Sequence, residues 1–315
     1  DTGMSFPTAM KVVDAFLEKG LLVELDETGP AAGAGRKGRL LRFEPGAYRA
    51  VGVECEGRFA RVGLADMAGG VQARETIELG DFARTRDLSP LAAAIRRMCA
   101  AANGAPVLGV CIGFPANLDP DAAAIVSYAA MDIQQPTSFA QVFPAFWREV
   151  ELPVYLENDA NLACEGEAFL RRGAGGAANM LYLSIGSGCG GAVRLDGKLR
   201  RGARCRAGEV GAMLLQPALG APGRSAARET LEDAVCLAAL ERRFGAALRD
   251  GAQPGEASAQ AMRDYLCGPL SGAVYSLVMT LDVELCVLAG IVPGALGMQL
   301  CTQVSEALRA ALPES

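Results

Sequence analysis

Leu156-Glu157-Asn158-Asp159-Ala160-Asn161 follows an apolar strand-like run, Pro153-Val154-Tyr155-Leu156, and leads into a helix-like run through Phe169. A strand that ends on a polar pair and passes straight into a helix is the βα junction of an α/β sheet, and open α/β sheets bind ligands beyond the carboxyl ends of their strands. An Asn-Asp pair there can grip a hydroxyl from both sides, and Asp159 can take its proton as a general base would. Asn and Asp are also favoured helix N-caps. Capping is the commoner use, so this stretch alone favours the cap; the rest of the chain reverses that preference.

A length of 315 residues implies two domains or more. With 51% hydrophobic and 21% charged residues the composition is that of an ordinary globular protein with ample material for a core. The net charge of −6 argues against nonspecific coating of nucleic acid, although it leaves room for a small local DNA-reading module. No apolar run reaches membrane-spanning length and the N-terminus has no signal-peptide character, so no membrane partner is expected. Residue 1 falls inside what reads as a motif, and a longer N-terminus is expected. The ten cysteines are scattered singly, with no Cys-x-x-Cys pair, and read as reduced thiols of a cytoplasmic protein. Histidine is absent, which excludes Ser-His catalysis and any His-containing metal site.

Residues 1–46 differ in pattern from the rest of the chain. Ser5 can cap a helix whose first turn carries Pro7, with Ala9, Val12, Val13, Phe16 and Leu17 at helical spacing and Gly20 as its end. A strand Leu21-Leu22-Val23-Glu24-Leu25 comes next, then a Gly/Ala-rich tip at 29–35, basic Arg36-Lys37-Gly38-Arg39, and a second strand Leu40-Leu41-Arg42-Phe43. Helix, strand, basic loop, strand is the order of a winged helix-turn-helix. Thr8 and Lys11 on the helix are the candidates for base or phosphate contact, and Arg36, Lys37 and Arg39 for the wing. Residues 1–50 hold seven basic and seven acidic side chains, so bulk charge does not separate this from a small appendage with a solvated basic hairpin.

From Tyr48 the pattern is strand-rich α/β. Residues 51–54 and 59–65 read as a strand pair, 88–102 as an amphipathic helix, 107–112 as a buried strand ending at Gly113, and 138–149 as helical. Residues 179–185 form another buried strand entering the loop Gly186-Ser187-Gly188-Cys189-Gly190-Gly191. The C-terminal third alternates helices with one more buried strand, 285–289, and 221–227 reads as a mobile loop.

Taken in order, these segments resemble the ROK family of sugar kinases and sugar-responsive repressors across essentially the whole chain. The family's Glu-Asn-Asp-Ala-Asn is matched by 157–161, its Gly-Thr-Gly-x-Gly-Gly by 186–191, its Asp-Gly-containing turn by Asp196-Gly197-Lys198-Leu199-Arg200-Arg201-Gly202, and its Gly-Glu-Ile-Gly-His by Gly208-Glu209-Val210-Gly211-Ala212. The repressor branch carries an N-terminal winged helix. The resemblance implies an α/β actin-like ATPase (ribonuclease H-like) two-domain fold. In it a winged helix-turn-helix remnant spans 1–46, a small α/β domain spans 47–155 and is completed by the C-terminal helix at about 300–315, and a larger α/β domain spans 156–299. It also implies sugar contacts from Asn158, Asp159, Glu209 and Glu232 and from the loop holding Gly113 and Asn117. Asp159 takes the catalytic position, vestigial here, and Gly186, Ser187, Gly188 and Gly190 form a vestigial nucleotide loop.

Two departures shift the functional expectation. Where the family's kinases read Asp-x-Gly-Gly-Thr, this chain reads Glu54-Cys55-Glu56-Gly57-Arg58. Small residues there let the backbone wrap phosphate. Glu56 instead brings a like charge, worth on the order of 1 to 4 kcal/mol of repulsion at short range; Arg58 could offset it by binding phosphate, but is expected rather to pair with Glu54 or Glu56. The family's zinc ligands fall here on Ala212, Gly223, Ser225 and Thr230, none of which supplies a thiolate or imidazole. No metal and no cofactor is therefore expected, ATP and magnesium entering only if the chain is a kinase. The expectation is a DNA-binding transcriptional regulator, a repressor, whose kinase-like body senses a sugar or sugar derivative. Its partners are operator DNA and a sugar-like effector, and it works as a homodimer or homotetramer. Effector would change domain closure and with it the spacing of paired DNA-binding heads. The alternatives are an active ATP-dependent sugar kinase and a regulator that has lost its ligand.

Overall fold

Buried residues alternate along Arg49–Glu56 (β3), with Val51, Val53 and Cys55 inward and Gly52 and Glu54 outward, and this period of two makes the segment a strand. The computed structural model describes residues 3–28, 39–172, 176–215, 229–245, 248 and 253–312. Arg36, Lys37, Gly223, Ser225 and the stretch 221–227, all singled out in the sequence, lie outside the described residues.

The chain opens with helix Phe6–Glu18 (α1) and strands Leu22–Thr28 (β1) and Arg39–Phe43 (β2), which pair antiparallel. After β3 come Phe59–Asp66 (β4), Val71–Glu78 (β5), helices Phe82–Thr85 (α2) and Ser89–Ala101 (α3), and strands Val107–Phe114 (β6), Asn117–Asp119 (β7), Ala124–Ser127 (β8) and Thr137–Ser138 (β9). Helices Phe139–Val142 (α4) and Pro144–Glu149 (α5) come next, then Val154–Asn158 (β10) and Asp159–Leu170 (α6). The remainder holds Met180–Ile185 (β11), Cys189–Leu195 (β12), Lys198–Leu199 (β13), Leu231–Val235 (α7), Leu237–Phe244 (α8), Glu256–Leu281 (α9), Leu285–Ala289 (β14), Ile291–Leu296 (α10) and Met298–Ala311 (α11).

Two units emerge from the pattern of contacts: residues 1–115 with 120–157, and residues 116–119 with 158–315. In the first, a five-stranded sheet runs in the order β10-β6-β3-β4-β5, with β3 and β6 parallel and β3-β4-β5 an antiparallel meander. Helix α3 covers one face with Leu91, Ala92, Ala94, Ile95 and Met98. Phe82, Phe114, Phe139, Phe143 and Phe146 form an adjoining aromatic cluster with edge-to-face geometry, Phe114 to Phe139 having centroids 5.5 Å apart at 88°. The single helix expected over 138–149 is two short ones, because Pro144 has no N–H to continue the first.

In the second unit a four-stranded sheet runs β13-β12-β11-β14, with β11 and β14 parallel and the others antiparallel. Strand β14, expected to be buried, is half-buried at every position, because it is the last strand of that sheet among the described residues. The C-terminal helix was expected to complete the smaller domain. It packs instead in the second unit, where Leu300 and Val304 join one core with Leu181, Leu183, Met262 and Leu266. In the described part of 1–46, Ser5 caps α1 through its hydroxyl, as expected, yet no residue of that helix is buried. An isolated helix and a two-stranded hairpin are too small to make a core of their own. No described helix is long and apolar enough to cross a membrane.

Candidate functional site

The junction between β10 and α6 is a capped helix start. Asn158 sits at φ −59°, ψ 143°, and its Oδ1 accepts from the Asn161 N–H at 3.1 Å, satisfying one of the orphan amides of the first turn. Its Nδ2 donates to the Ala116 carbonyl at 3.3 Å. Both ends of the amide are thus engaged, and they tie the helix start to the segment carrying Asn117. Asp159 is half-buried in the first turn of α6, where the helix dipole favours a carboxylate, and its Oδ1 accepts from the Ala160 N–H at 2.8 Å. Glu157, one residue before Asn158, is 8% exposed.

Behind this helix lies the turn Gly186-Ser187-Gly188 between β11 and β12; an added Cβ on Gly190 would sit 3.6 Å from the Ala160 Cβ. Gly190, expected in the loop, is already inside strand β12, with Ile185 and Cys189 closing the hairpin register. The turn is internally saturated at several points. The Gly186 N–H donates to the Gly188 carbonyl at 2.9 Å, and the Gly186 carbonyl accepts from the Leu237 N–H at 2.8 Å. The Cys189 N–H donates to Glu232 Oε2 at 2.8 Å. That same oxygen would lie 2.8 Å from a Cβ on Gly188, so the Glu232 carboxylate rests directly on the glycine turn.

Glu209 is placed by backbone packing. Gly208 has φ 94°, and an added Cβ there would meet the Gly191 carbonyl oxygen at 2.4 Å; one on Gly211 would meet the Cys189 carbonyl oxygen at 2.1 Å. The two glycines flanking Glu209 therefore let residues 208–211 lie flat on β12, with Val210 buried. Although Glu209 as a residue is exposed, its carboxyl is pushed up in pKa, first by burial of the group and then by the charge of Glu232, with Arg206 opposing. Burial chiefly, then Glu232 and Cys236, pushes the Cys189 thiol up to about 12, which leaves it protonated and unreactive. All ten cysteines are free, four buried and the others partly so.

The first-strand turn lies in the other unit. Gly57-Arg58 closes the β3–β4 hairpin, with Glu56 opposite Phe59. The ion pairing expected of Arg58 is corrected by the structure: Arg58 reaches Glu78 at 3.3 Å, while Arg61 bridges Glu54 at 2.8 Å and Glu56 at 2.9 Å. The reason is strand geometry. Arg61 is in register with Glu54 across the β3–β4 ladder, on the face shared by Glu54 and Glu56. Gly113 belongs to this unit, buried near the end of β6 and in register with Glu54.

Of the positions that correspond to zinc ligands, Ala212 ends a short 3-10 turn and Thr230 caps α7. Thr230 and Asp233 form a reciprocal capping box, with the hydroxyl 2.7 Å from Asp233 Oδ2 and the Asp233 N–H 3.3 Å from the Thr230 hydroxyl. The Thr-x-x-Asp spacing was a readable signal for it. Leu214 bridges Thr230, and the Leu231 N–H donates to the Met213 carbonyl at 2.8 Å, so backbone pairing closes the neck of the segment between them. In the N-terminal module, Thr8 and Lys11 are exposed, the Thr8 hydroxyl lies 2.8 Å from Ser5 Oγ, and Arg39 is ion-paired with Glu24 on the neighbouring strand.

Known proteins are similar to this chain to differing extents. A glucokinase from Halalkalibacterium halodurans is 34% identical over 141 residues, 42% of this chain and 40% of its own length. A xylose repressor from Caldicellulosiruptor bescii is 27% identical over 208 residues, 65% of this chain and 50% of its own. The matched stretches thus span half or less of these relatives. The crystal structure of a ROK family transcriptional regulator, a homologue of the E. coli MLC protein, superposes with TM-score 0.74 at 17% identity, covering 98% of this chain and 81% of that one. The fold is the α/β, actin-like one of the ROK kinases. The ROK family profile matches residues 50–315, taking in both glycine turns, the capped Asn158-Asp159 junction and the Glu209 segment, and the chain belongs to the ROK family.

Proposed function

We propose that this chain is a ROK-type DNA-binding transcriptional regulator, a repressor, whose kinase-like body senses a sugar or sugar derivative. The observation that carries this reading is a carboxylate beside the first of the two turns a nucleotide phosphate would need, Glu56 at the end of β3. Glu54 and Glu56 hold Arg61 beside the first, and Glu232 takes the Cys189 amide of the second. A phosphate entering the first turn would meet like charge at Glu56, with Arg61 already engaged by Glu54 and Glu56 and Arg58 by Glu78. The N-terminal residues add support. The family profile begins at residue 50, whereas the superposed regulator covers 98% of the chain, so that regulator has a counterpart for the helix and hairpin of 1–46. Thr8 and Lys11, with the basic wing of Arg36, Lys37 and Arg39, would meet operator DNA as a winged helix does. The chain would act as a homodimer or homotetramer in order to read two half-sites. Asn158, Asp159, Glu209 and Glu232 would hold the effector.

The test has two arms. In a coupled ADP-release assay over common hexoses and amino sugars we expect no turnover; about one per second with any sugar, an ordinary enzymatic rate, overturns the reading in favour of the kinase. In a genomic binding selection with the full-length protein we expect a palindromic operator, and the absence of sequence preference would make the module an appendage.

The same reading expects no stoichiometric zinc. Ala212 has no donor, and Thr230 spends its hydroxyl on a capping box. Elemental analysis of the purified protein should find well under one zinc per chain, and chelator should leave the melting temperature unchanged.

A further inference from the structure

Leading into Glu209, the chain reads Lys198-Leu199-Arg200-Arg201-Gly202-Ala203-Arg204-Cys205-Arg206: five cations in nine residues, with no carboxylate among them, in a chain of net charge −6. The segment is a fixed turn. The Ala207 N–H donates to the Arg201 carbonyl at 3.0 Å, Cys205 to Gly202 at 3.4 Å, and Glu209 to Arg206 at 3.4 Å. Gly202 and Cys205 take left-handed conformations that fold the chain back on itself. The turn is anchored by Gly208, whose backbone lies against Gly191 of β12.

Lys198, Arg200, Arg204 and Arg206 are exposed. Arg200 spends part of its charge on Asp196 at 2.6 Å, whereas Lys198 and Arg204 make no ion pair among the described residues. Like charges at this density repel one another, and a bound anion relieves the repulsion. Four of the five are arginines, whose planar forks suit the paired oxygens of phosphate and carboxylate. Arg206 also lowers the pKa that burial raises at Glu209, so its guanidinium lies within electrostatic reach of that carboxylate. Nucleic-acid phosphate is the other chemistry such a patch could meet. The direct continuation of the turn into Glu209, and its anchorage on the strand that carries Cys189, favour a small ligand.

We propose that the turn 200–206 is an anion subsite that takes the phosphate or carboxylate of an acidic monosaccharide, with Arg204 and Arg206 as its principal donors. The proposal rests on the sugar-sensor reading and names the class of sugar. The anion sits at the arginine end and the hydroxyls at the end of Glu209 and Asp159, which keeps like charges apart.

Isothermal titration of the whole chain with glucose, mannose and galactose, each as parent sugar, 6-phosphate and uronate, is the test, with inorganic phosphate and a DNA duplex as further probes. We expect at least one acid to bind ten-fold or more tightly than its parent sugar. In the Arg204→Gln, Arg206→Gln double variant that ratio should fall to two-fold or less, with the melting temperature within 2 °C of the parent protein. The phosphate and uronate arms tell which acid is taken. A ratio that survives the double substitution overturns the proposal, and so does a variant chain that no longer folds when a second, also uncharged pair, Arg204→Met and Arg206→Met, folds and keeps the full ratio. Parent sugars that bind as tightly as their acids overturn it and leave the sugar-sensor reading standing. No binding by any sugar overturns both. Duplex affinity that falls in the variant, with no discrimination among sugars, reassigns the turn to nucleic acid and overturns it as well.

Discussion

Gly208→Ala should cost the second unit on the order of 2 to 6 kcal/mol. Holding a non-glycine residue at φ 94° costs about 1 to 3 kcal/mol. Forcing a methyl to within 2.4 Å of the Gly191 carbonyl oxygen adds overpacking of about 1 to 3 kcal/mol, because the contacted atom is backbone in the middle of a sheet and cannot swing away. Gly211→Ala, with 2.1 Å to the Cys189 carbonyl oxygen, should be comparably severe. A useful control is Gly166→Ala in the middle of α6, where nothing lies within 4 Å of the new Cβ. Alanine there should stabilise the helix by about 0.5 to 1 kcal/mol. Thermal and urea unfolding would rank the three. A shift of about 2 to 4 °C per kcal/mol is expected for a unit of this size. If Gly208→Ala melts within 2 °C of the parent protein, residues 208–211 are not packed flat on β12, and the placement of Glu209 goes with them.

Asp159→Ala should abolish the response to effector while leaving the fold and operator binding intact. Asp159 bonds its neighbour's amide and stands in the first turn of α6, so its removal costs the helix at most about 1 kcal/mol. As a ligand group the ionised carboxylate would supply charge-assisted hydrogen bonds to sugar hydroxyls worth about 1.5 to 3 kcal/mol each. Asp159→Asn keeps the shape and loses the charge, and should weaken the effector less than alanine does. In a kinase the pattern differs, since the Asn variant would bind sugar and lose turnover. Asn158→Ala is a different experiment. It removes the cap on Asn161 and the bond to the Ala116 carbonyl together, so it should lower stability by about 1 to 2 kcal/mol as well as affinity. Effector-induced release from operator DNA, measured beside the melting temperature, separates the two. If both Asp159 variants release DNA as the parent does, Asp159 has no part in sensing.

Asn158 does the capping, while Asp159 stands in the first turn with its Oδ1 on its neighbour's amide. The order of motifs pointed to the ROK family and its α/β fold, because strand termini, glycine turns and caps are local features written in a few consecutive residues. Ser5 at the start of α1, the β3–β4 pair and the β10–α6 junction were readable for that reason. Strand β5 was not singled out, since Val71–Glu78 lies at the sheet edge with only every second residue half-covered and no apolar run to mark it.

By itself, then, the amino-acid sequence determined the succession of elements, the family and the absence of histidine chemistry. Only the tertiary structure decided which groups beyond the reach of local spacing become partners. Arg61, not Arg58, holds Glu54 and Glu56; Glu232 reaches across 43 positions to the Cys189 amide; and α11 packs with α9 in the second unit. The physical reason is range. Backbone propensity and capping act over three or four residues, whereas the choice of a side chain's partner depends on sheet register and on which faces are buried together, and those are fixed only when the whole unit has packed.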